Sequence, residues 1–350
     1  MNDFRQILVE PDISIRDTIE LIDASAMQIA LVMAQDGKLL GTVTDGDIRR
    51  GILGGVALED MVTAVMNRQP SVCHQEEERE VILSRMRAKR LHHMPVVDDA
   101  GCLVGLETLD ELLAPKERDN LVVLMAGGLG TRLRPLTEDC PKPMLKIGGR
   151  PILETILLNF IEYGYRRFYI SVNYKSEAIT DYFGDGSRWG ASIQYLHESN
   201  KLGTAGALSL LPELPDRPIL VMNGDLLTKV NFAQLLNFHV SHQAKATMCV
   251  REYDFQVPYG VVSLDRHRIM AIEEKPIQRF FVNAGIYILE PEVLRFIPPQ
   301  SYFDMPALFD EIRKHELAAA AFPLREYWLD IGQMADFEKA SGEYSLVFEP

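Results

Sequence analysis

Residues 121–125 (LVVLM) form an unbroken apolar run that leads through Ala126 straight into Gly127, Gly128 and Gly130. A short apolar run without polar alternation reads as a strand buried on both faces, which requires packed layers above and below it. Glycines directly after such a strand let the backbone approach a ligand and turn its N–H groups toward an anion. The rest of the chain repeats the theme. Strand-like runs at 168–172, 193–196, 219–222 and 246–250 alternate with helix-like stretches at 152–163, 177–183, 205–211 and 232–242. Ile156, Leu157, Phe160 and Ile161 hold one apolar face at helical spacing. This alternation predicts an α/β fold with a mostly parallel sheet, helices on both sides, and ligands at the carboxyl ends of the strands.

The short polar tract APKERDN (114–120) precedes the first strand and sets a boundary, giving domains at 1–115 and 120–350. The first domain contains a loose internal repeat, residues 29–53 against 92–113. Each copy reads as strand, Asp/Gly turn, second strand, then a helix entered through Thr and acidic residues. A unit this small cannot bury its own face, so the two copies are expected to pack together. The tract GTVTDGDI resembles the second-strand motif of tandem CBS domains, an α+β module. That resemblance implies a purine nucleotide whose ribose is held by Thr44 and Asp47. The alternative is that Thr44 and Asp47 only cap the helix starting at Ile48. The second copy departs from the pattern, with Thr108 and Glu111 at those positions and Glu107 where an apolar residue belongs. His92 and His93 are adjacent and point to opposite sides of a strand, which argues against a metal pair.

Charge narrows the partners. The net charge of −14 argues against nucleic acid, which needs a basic face. No apolar run is long enough to span a bilayer, and no secretory leader is visible, so no membrane partner is expected. The four cysteines, Cys73, Cys102, Cys140 and Cys249, form no CxxC pair and point to free thiols in a reduced, cytoplasmic setting.

Thr131, Arg132 and Lys142 follow the glycine loop and make it an anion site suited to several phosphates. GxxxxGK[ST] is absent, and the loop lacks the third glycine of GxGxxG. The longer tract GGLGTRLRPLT…PKPM resembles the sugar-1-phosphate nucleotidyltransferases, whose fold is a Rossmann-like nucleotidyltransferase domain. The likeness continues through HESNKLGTAGAL (197–208), MNGD (222–225), PYGVV (258–262), EEKP (273–276), VNAGIYIL (282–289) and WLDIG (328–332). It implies that Ala126, Gly127, Gly128, Gly130, Thr131, Glu198, Gly203 and Thr204 meet the nucleotide. It also implies that Arg132 and Lys142 serve transfer, that Asp225 and Asp330 hold Mg2+, and that Gly260, Glu274, Lys275 and Asn283 meet the sugar phosphate. Each short piece has an ordinary reading as a turn or surface residue, and their joint order argues against it.

The segment around Glu198 resembles the guanylyltransferase branch, and a carboxylate suits the N1–H and N2 donors of guanine; GTP is the expected donor. The fusion to a CBS pair is similar to the bacterial glucosamine-1-phosphate guanylyltransferases of the legionaminic acid route, which makes glucosamine 1-phosphate the expected acceptor. Mannose or heptose 1-phosphate, and a cytidylyl- or uridylyltransferase, remain open. So does a non-catalytic nucleotide sensor, which the intact Lys142, Asp225 and Asp330 disfavour. The CBS pair also suggests a homo-oligomer.

Overall fold

The computed structural model describes residues 4–348. The chain divides into two compact units, Met1–Pro115 and Lys116–Pro350. In the first, β1 (Leu8–Val9), α1 (Ile15–Ser25), β2 (Ile29–Met33), β3 (Leu39–Thr44) and α2 (Asp45–Leu53) form one copy. The other comprises β4 (Cys73–His74), α3 (Arg79–Lys89), β5 (His93–Val97), β6 (Leu103–Thr108) and α4 (Leu109–Leu113). Both copies share one topology: the first strand runs parallel to the second, which pairs antiparallel with the third. Each buries a small core, around Ile15, Ile22 and Val43 in one and around Ile82, Met86 and Met94 in the other.

Helix α2 opens with a capping box. Asp47 Oδ2 accepts from the Thr44 N–H at 2.9 Å and from the Thr44 hydroxyl at 2.7 Å, and Thr44 Oγ1 accepts from the Asp47 N–H. The capping role of these two residues is therefore realised. In the second copy Thr108 caps α4 through the Glu111 N–H at 3.1 Å. Glu107 is half-buried, and burial followed by the charge of Glu111 holds its carboxyl above the usual range. Cys73 and Cys249 are buried free thiols, and Cys102 and Cys140 are free and half-buried.

The second unit begins with β7 (Arg118–Met125). The small hairpin β8 (Lys146–Ile147) and β9 (Arg150–Pro151) leads into α5 (Ile152–Glu162), β10 (Tyr165–Val172), α6 (Ser176–Phe183), β11 (Ser192–His197) and α7 (Gly203–Gly206). Next come β12 (Ile219–Asn223), β13 (Leu226–Thr228), α8 (Phe232–Ser241), β14 (Ala246–Gln256), β15 (Val261–Asp265), β16 (Arg268–Glu273) and β17 (Ile277–Leu289). The unit closes with α9 (Met305–Lys314), β18 (Ala319–Leu324), β19 (Trp328–Asp330) and α10 (Met334–Phe348).

Seven strands form one sheet in the order β11-β10-β7-β12-β17-β14-β18. The first four are parallel, β17 runs antiparallel to both its neighbours, and β18 is parallel to β14. Alternate side chains of β7 enter opposite cores. Val122 and Leu124 pack with α5 residues such as Ile156 and Phe160, while Leu121 and Val123 pack with Met305 and Leu308 of α9. β7 is thus buried on both faces, and the α/β architecture is the expected one. The chain leaves β7 toward β10 on one side and returns to β12 on the other. The carboxyl end of β7 is therefore a topological switch point.

Two regions differ from expectation. The helix anticipated over 205–211 is a single turn over Gly203–Gly206 followed by a 3-10 turn over Ala207–Leu210. Its leading amides, Ala205 and Gly206, donate to the Phe303 carbonyl at 3.1 and 2.8 Å, which ties this turn to a distant loop. The strand anticipated over 246–250 runs on to Gln256, because β14 and β17 stay paired from Arg251↔Val282 to Gln256↔Ile277. Aromatic residues favour this extension, yet Tyr253, Phe255 and Phe280 along it are exposed. Strands β15 and β16 form a separate two-stranded sheet at its far end. Among the described residues no helix is long and apolar enough to cross a membrane.

Candidate active site

The site residues gather where β7, β10 and β12 end. The Ala126 N–H donates to the Ser171 carbonyl at 2.9 Å, and the Gly224 N–H donates to the Met125 carbonyl at 2.9 Å. These two bonds hold the glycine loop between β10 and the turn carrying Asp225. Gly130 sits at φ +61°, where a side chain would crowd Thr137 and Lys142. The Thr137 hydroxyl fastens the loop by donating to the Gly130 carbonyl at 2.8 Å. Thr131 and Arg132 follow in a 3-10 turn anchored by buried Leu133.

Lys142 reaches across to the far side. Its Nζ lies 2.5 Å from Asp225 Oδ2 and 4.0 Å from Asp330 Oδ1, on a side chain only 12% exposed. The two carboxylates meet because β13 pairs antiparallel with β19, setting Leu226 opposite Asp330, and because the Ile331 N–H donates to the Asp225 carbonyl at 3.1 Å. Desolvation, then the like charge of Asp225, raises the Asp330 carboxyl above its ordinary value; Lys142 and Arg132 oppose this. A carboxylate pair with excess negative charge suits a hard divalent cation that keeps water and substrate oxygens as its other ligands. Among the described residues no group of three or more His, Cys, Asp or Glu side chains forms a fuller metal cage.

Glu198 forms a second cluster. The buried Ser171 hydroxyl donates to Glu198 Oε1, the Leu202 N–H donates to Oε2 at 2.9 Å, and Asn173 Nδ2 donates to the Glu198 carbonyl at 2.9 Å. Gly127 lies so close to this carboxylate that any side chain there would collide with it. Gly203, at φ +83°, leaves its α-carbon against the Phe303 carbonyl, and the Thr204 hydroxyl accepts from the Met305 N–H at 2.9 Å. Thr204 therefore braces the first turn of α9, and Gly203 leaves room for the Phe303 carbonyl just before that helix. Ser171 carried no motif signal, being one small residue inside an apolar strand. Asn223, in the MNGD tract, has a buried Oδ1 with no hydrogen-bond partner among the described residues.

The residues expected on the sugar side lie at the base of the β15–β16 hairpin (Gly260, Glu274 and Lys275) and on β17 (Asn283). Gly260 sits against the Glu274 carboxylate, and Lys275 is exposed with φ +49°. Asn283 Oδ1 accepts from the Gly285 N–H at 2.9 Å, and its Nδ2 donates to the Tyr287 hydroxyl at 2.7 Å. The structure brings Lys142, Asp225 and Asp330 together, and Gly127 with Glu198. It shows no direct bond from either cluster to Glu274 or Lys275. In the first unit, Thr44 and Asp47 border a cleft of about 430 Å3 that also includes Asn67, Arg90, His92 and His93.

The nucleotidyl transferase family matches residues 121–345, and the CBS domain family matches 5–54 and 62–114. A mannose-1-phosphate guanyltransferase of Pichia angusta is 34% identical over 228 residues, 61% of this chain. A UTP–glucose-1-phosphate uridylyltransferase of a Synechocystis strain is 32% identical over 238 residues, 62% of this chain. The chain spans 61% of the length of each of these relatives. HddC from Yersinia pseudotuberculosis, solved in complex with GMP-PN, superposes with TM-score 0.52 at 27% identity, over 64% of this chain and 99% of that one. The chain belongs to the nucleotidyl transferase family, and a pair of CBS domains precedes its transferase part.

Proposed function

We propose that this chain transfers a nucleotidyl group from a nucleoside triphosphate, GTP first, to a sugar 1-phosphate. The observation that carries the reading is the Lys142–Asp225–Asp330 cluster at the switch point, beside an anion-binding glycine loop. A sugar phosphate is already an anionic nucleophile, so a strong base is not needed. The task is to bring two polyanions together and to stabilise charge on the phosphoryl oxygens. One phosphate oxygen of the sugar forms a bond to the α-phosphorus, the bond from that phosphorus to the β-phosphate oxygen breaks, and pyrophosphate leaves.

The loop N–H groups of Gly127–Thr131 and the Arg132 guanidinium bind the departing pyrophosphate, while the Ala126 N–H stays on the Ser171 carbonyl. Lys142 neutralises the α-phosphate and the attacking oxygen, and Lys275 receives the sugar phosphate beside Glu274, Gly260 and Asn283. Asp225 and Asp330 are the residues that would hold Mg2+, which supplies charge neutralisation to the triphosphate. Glu198, fixed by Ser171 and Leu202, retains acceptor capacity for guanine donors. The guanyltransferase relative and the GMP-PN complex of HddC support GTP, and the uridylyltransferase relative keeps UTP as the competing donor.

Glucosamine 1-phosphate is the proposed acceptor, on the CBS-fused architecture. The mannose-1-phosphate guanyltransferase relative favours mannose 1-phosphate as the second reading. The cleft at Thr44 and Asp47 is the proposed seat of a regulatory purine nucleotide. Pyrophosphate release, measured for four nucleoside triphosphates against glucosamine, mannose and heptose 1-phosphates, tests the reaction and both substrate assignments. GTP with glucosamine 1-phosphate should give the highest kcat/KM. No release with any pair overturns the transferase reading, and a different best pair overturns the substrate assignment alone.

A further inference from the structure

We propose that the β14–β17 ribbon with its β15–β16 hairpin is a two-fold docking surface for a second copy of this chain, independently of which substrates it takes. The hairpin is its own two-stranded sheet. An isolated pair of strands is marginal in water without a covering layer. Its register sets Val262 opposite Ile272 and Leu264 opposite Ile269, on one face, with Met270 in the bulge between them. These five side chains are 43%, 65%, 62%, 62% and 62% exposed, in the order named. At roughly 150–200 Å2 for a large apolar side chain, they leave on the order of 500 Å2 in water, the size of patch that is commonly functional. The stem adds exposed aromatics of its own, Tyr253, Phe255 and Phe280.

Charge selects the occupant. The hairpin tip carries Arg266 and Arg268 against one acid, Asp265, and its base carries Glu273 and Glu274 against one base, Lys275. Two copies laid antiparallel about a two-fold axis pack apolar face on apolar face. Each basic tip then meets the acidic base of the other copy, so the surface is complementary to itself. The same contact places the second copy's tip arginines beside Glu274 and Lys275, adding positive charge next to the proposed sugar-phosphate side.

The test is the mass of the full chain in solution, by light scattering and sedimentation over a range of concentrations. The wild type should be a dimer or an even multiple of one. Leu264→Glu with Ile272→Glu should halve that mass while the circular dichroism spectrum stays that of the folded wild type. Arg266→Glu should raise the dissociation constant at least about tenfold, and adding Glu273→Arg should recover most of the loss. A monomeric wild type overturns the proposal. So does a double-glutamate variant that keeps the wild-type mass, which assigns assembly to another surface. Should the double-glutamate variant not fold, the Arg266→Glu and swap pair decides: a dissociation constant unmoved by Arg266→Glu, or no recovery in the swap, refutes the docking geometry.

Discussion

Replacing Asp330 with Asn should stabilise the metal-free protein while removing its activity, and that opposition of sign separates a functional carboxylate from a structural one. The Asp330 carboxyl is raised above its ordinary value of 3.8 by desolvation and by Asp225, with Lys142 and Arg132 too weak to cancel the effect. Between that ordinary value and the raised one, the folded chain holds a proton that the unfolded chain has released. Stability is therefore greatest below the window, falls as pH rises through it, and carries the whole penalty at neutral pH. The side chain is 54% exposed, which limits the penalty to at most about 1 kcal/mol after solvent screening. For a domain of this size that is a rise of up to about 2–4 °C in melting temperature for Asp330→Asn at pH 7 without metal. The gain should vanish in acid, where the wild-type carboxyl is protonated too. Magnesium with GTP should raise the wild-type melting temperature and leave the variant behind, since binding to the folded state at 100 times Kd contributes about 2.7 kcal/mol. Turnover should fall by at least ~100-fold. Scanning calorimetry across pH, with and without magnesium, and a pyrophosphate-release assay supply the data. A variant that melts lower than wild type at neutral pH without metal, or that keeps near-normal turnover, refutes the reasoning.

Lys142→Ala should lower kcat by at least ~100-fold, the scale for losing one preorganised electrostatic contact; near-normal turnover in the same assay removes its assigned role. Ser171→Ala removes a hydrogen bond to an ionised acceptor, worth about 1.5–3 kcal/mol, so KM for GTP should rise at least about tenfold with a smaller change in kcat; equal loss in both parameters would point to a fault elsewhere. Gly127→Ala should displace the Glu198 carboxylate and raise KM for GTP further than Gly128→Ala, whose site is open. Thr44→Ala should cost about 1 kcal/mol of stability in the first unit through loss of the cap, and calorimetric titration with ATP, AMP, GTP and GDP should show weaker binding than to the wild type. Binding by wild type and variant alike assigns the cleft to other residues.

The loop and its strand were legible because one short stretch contains both halves of the signal, apolar burial and glycine chemistry. The fold class followed from alternation, which needs no knowledge of partners. The meeting of Asp225 with Asp330 was not derivable from spacing. It depends on β13 finding β19 across the unit, and neither three-residue strand has a pattern long enough to announce itself. Ser171 is hidden for the same reason, since its contact to Glu198 exists only after β10 and β11 pair. The long β14–β17 ribbon escaped because its outer half exposes aromatic side chains on a paired extension, where apolar periodicity normally marks a buried face.

The β13–β19 pair stands outside the seven-stranded sheet. Three residues on each side pair in it, the Ile331 to Asp225 and Lys229 to Tyr327 backbone bonds flank it, and Asn159 and Trp328 tie it to α5 and β17. Leu226, Leu227 and Ile331 are buried in the larger core, so opening of this clip is a local event whose free energy includes exposing those side chains and has the unfolding of the whole unit as its ceiling. Metal and triphosphate binding would then draw on that local equilibrium. The amide proton of Ile331 becomes a reporter: its exchange with solvent should slow on ligand binding by the factor that the ligand adds to clip closure, while the amides at the centre of β7 keep the rate set by unfolding of the whole unit.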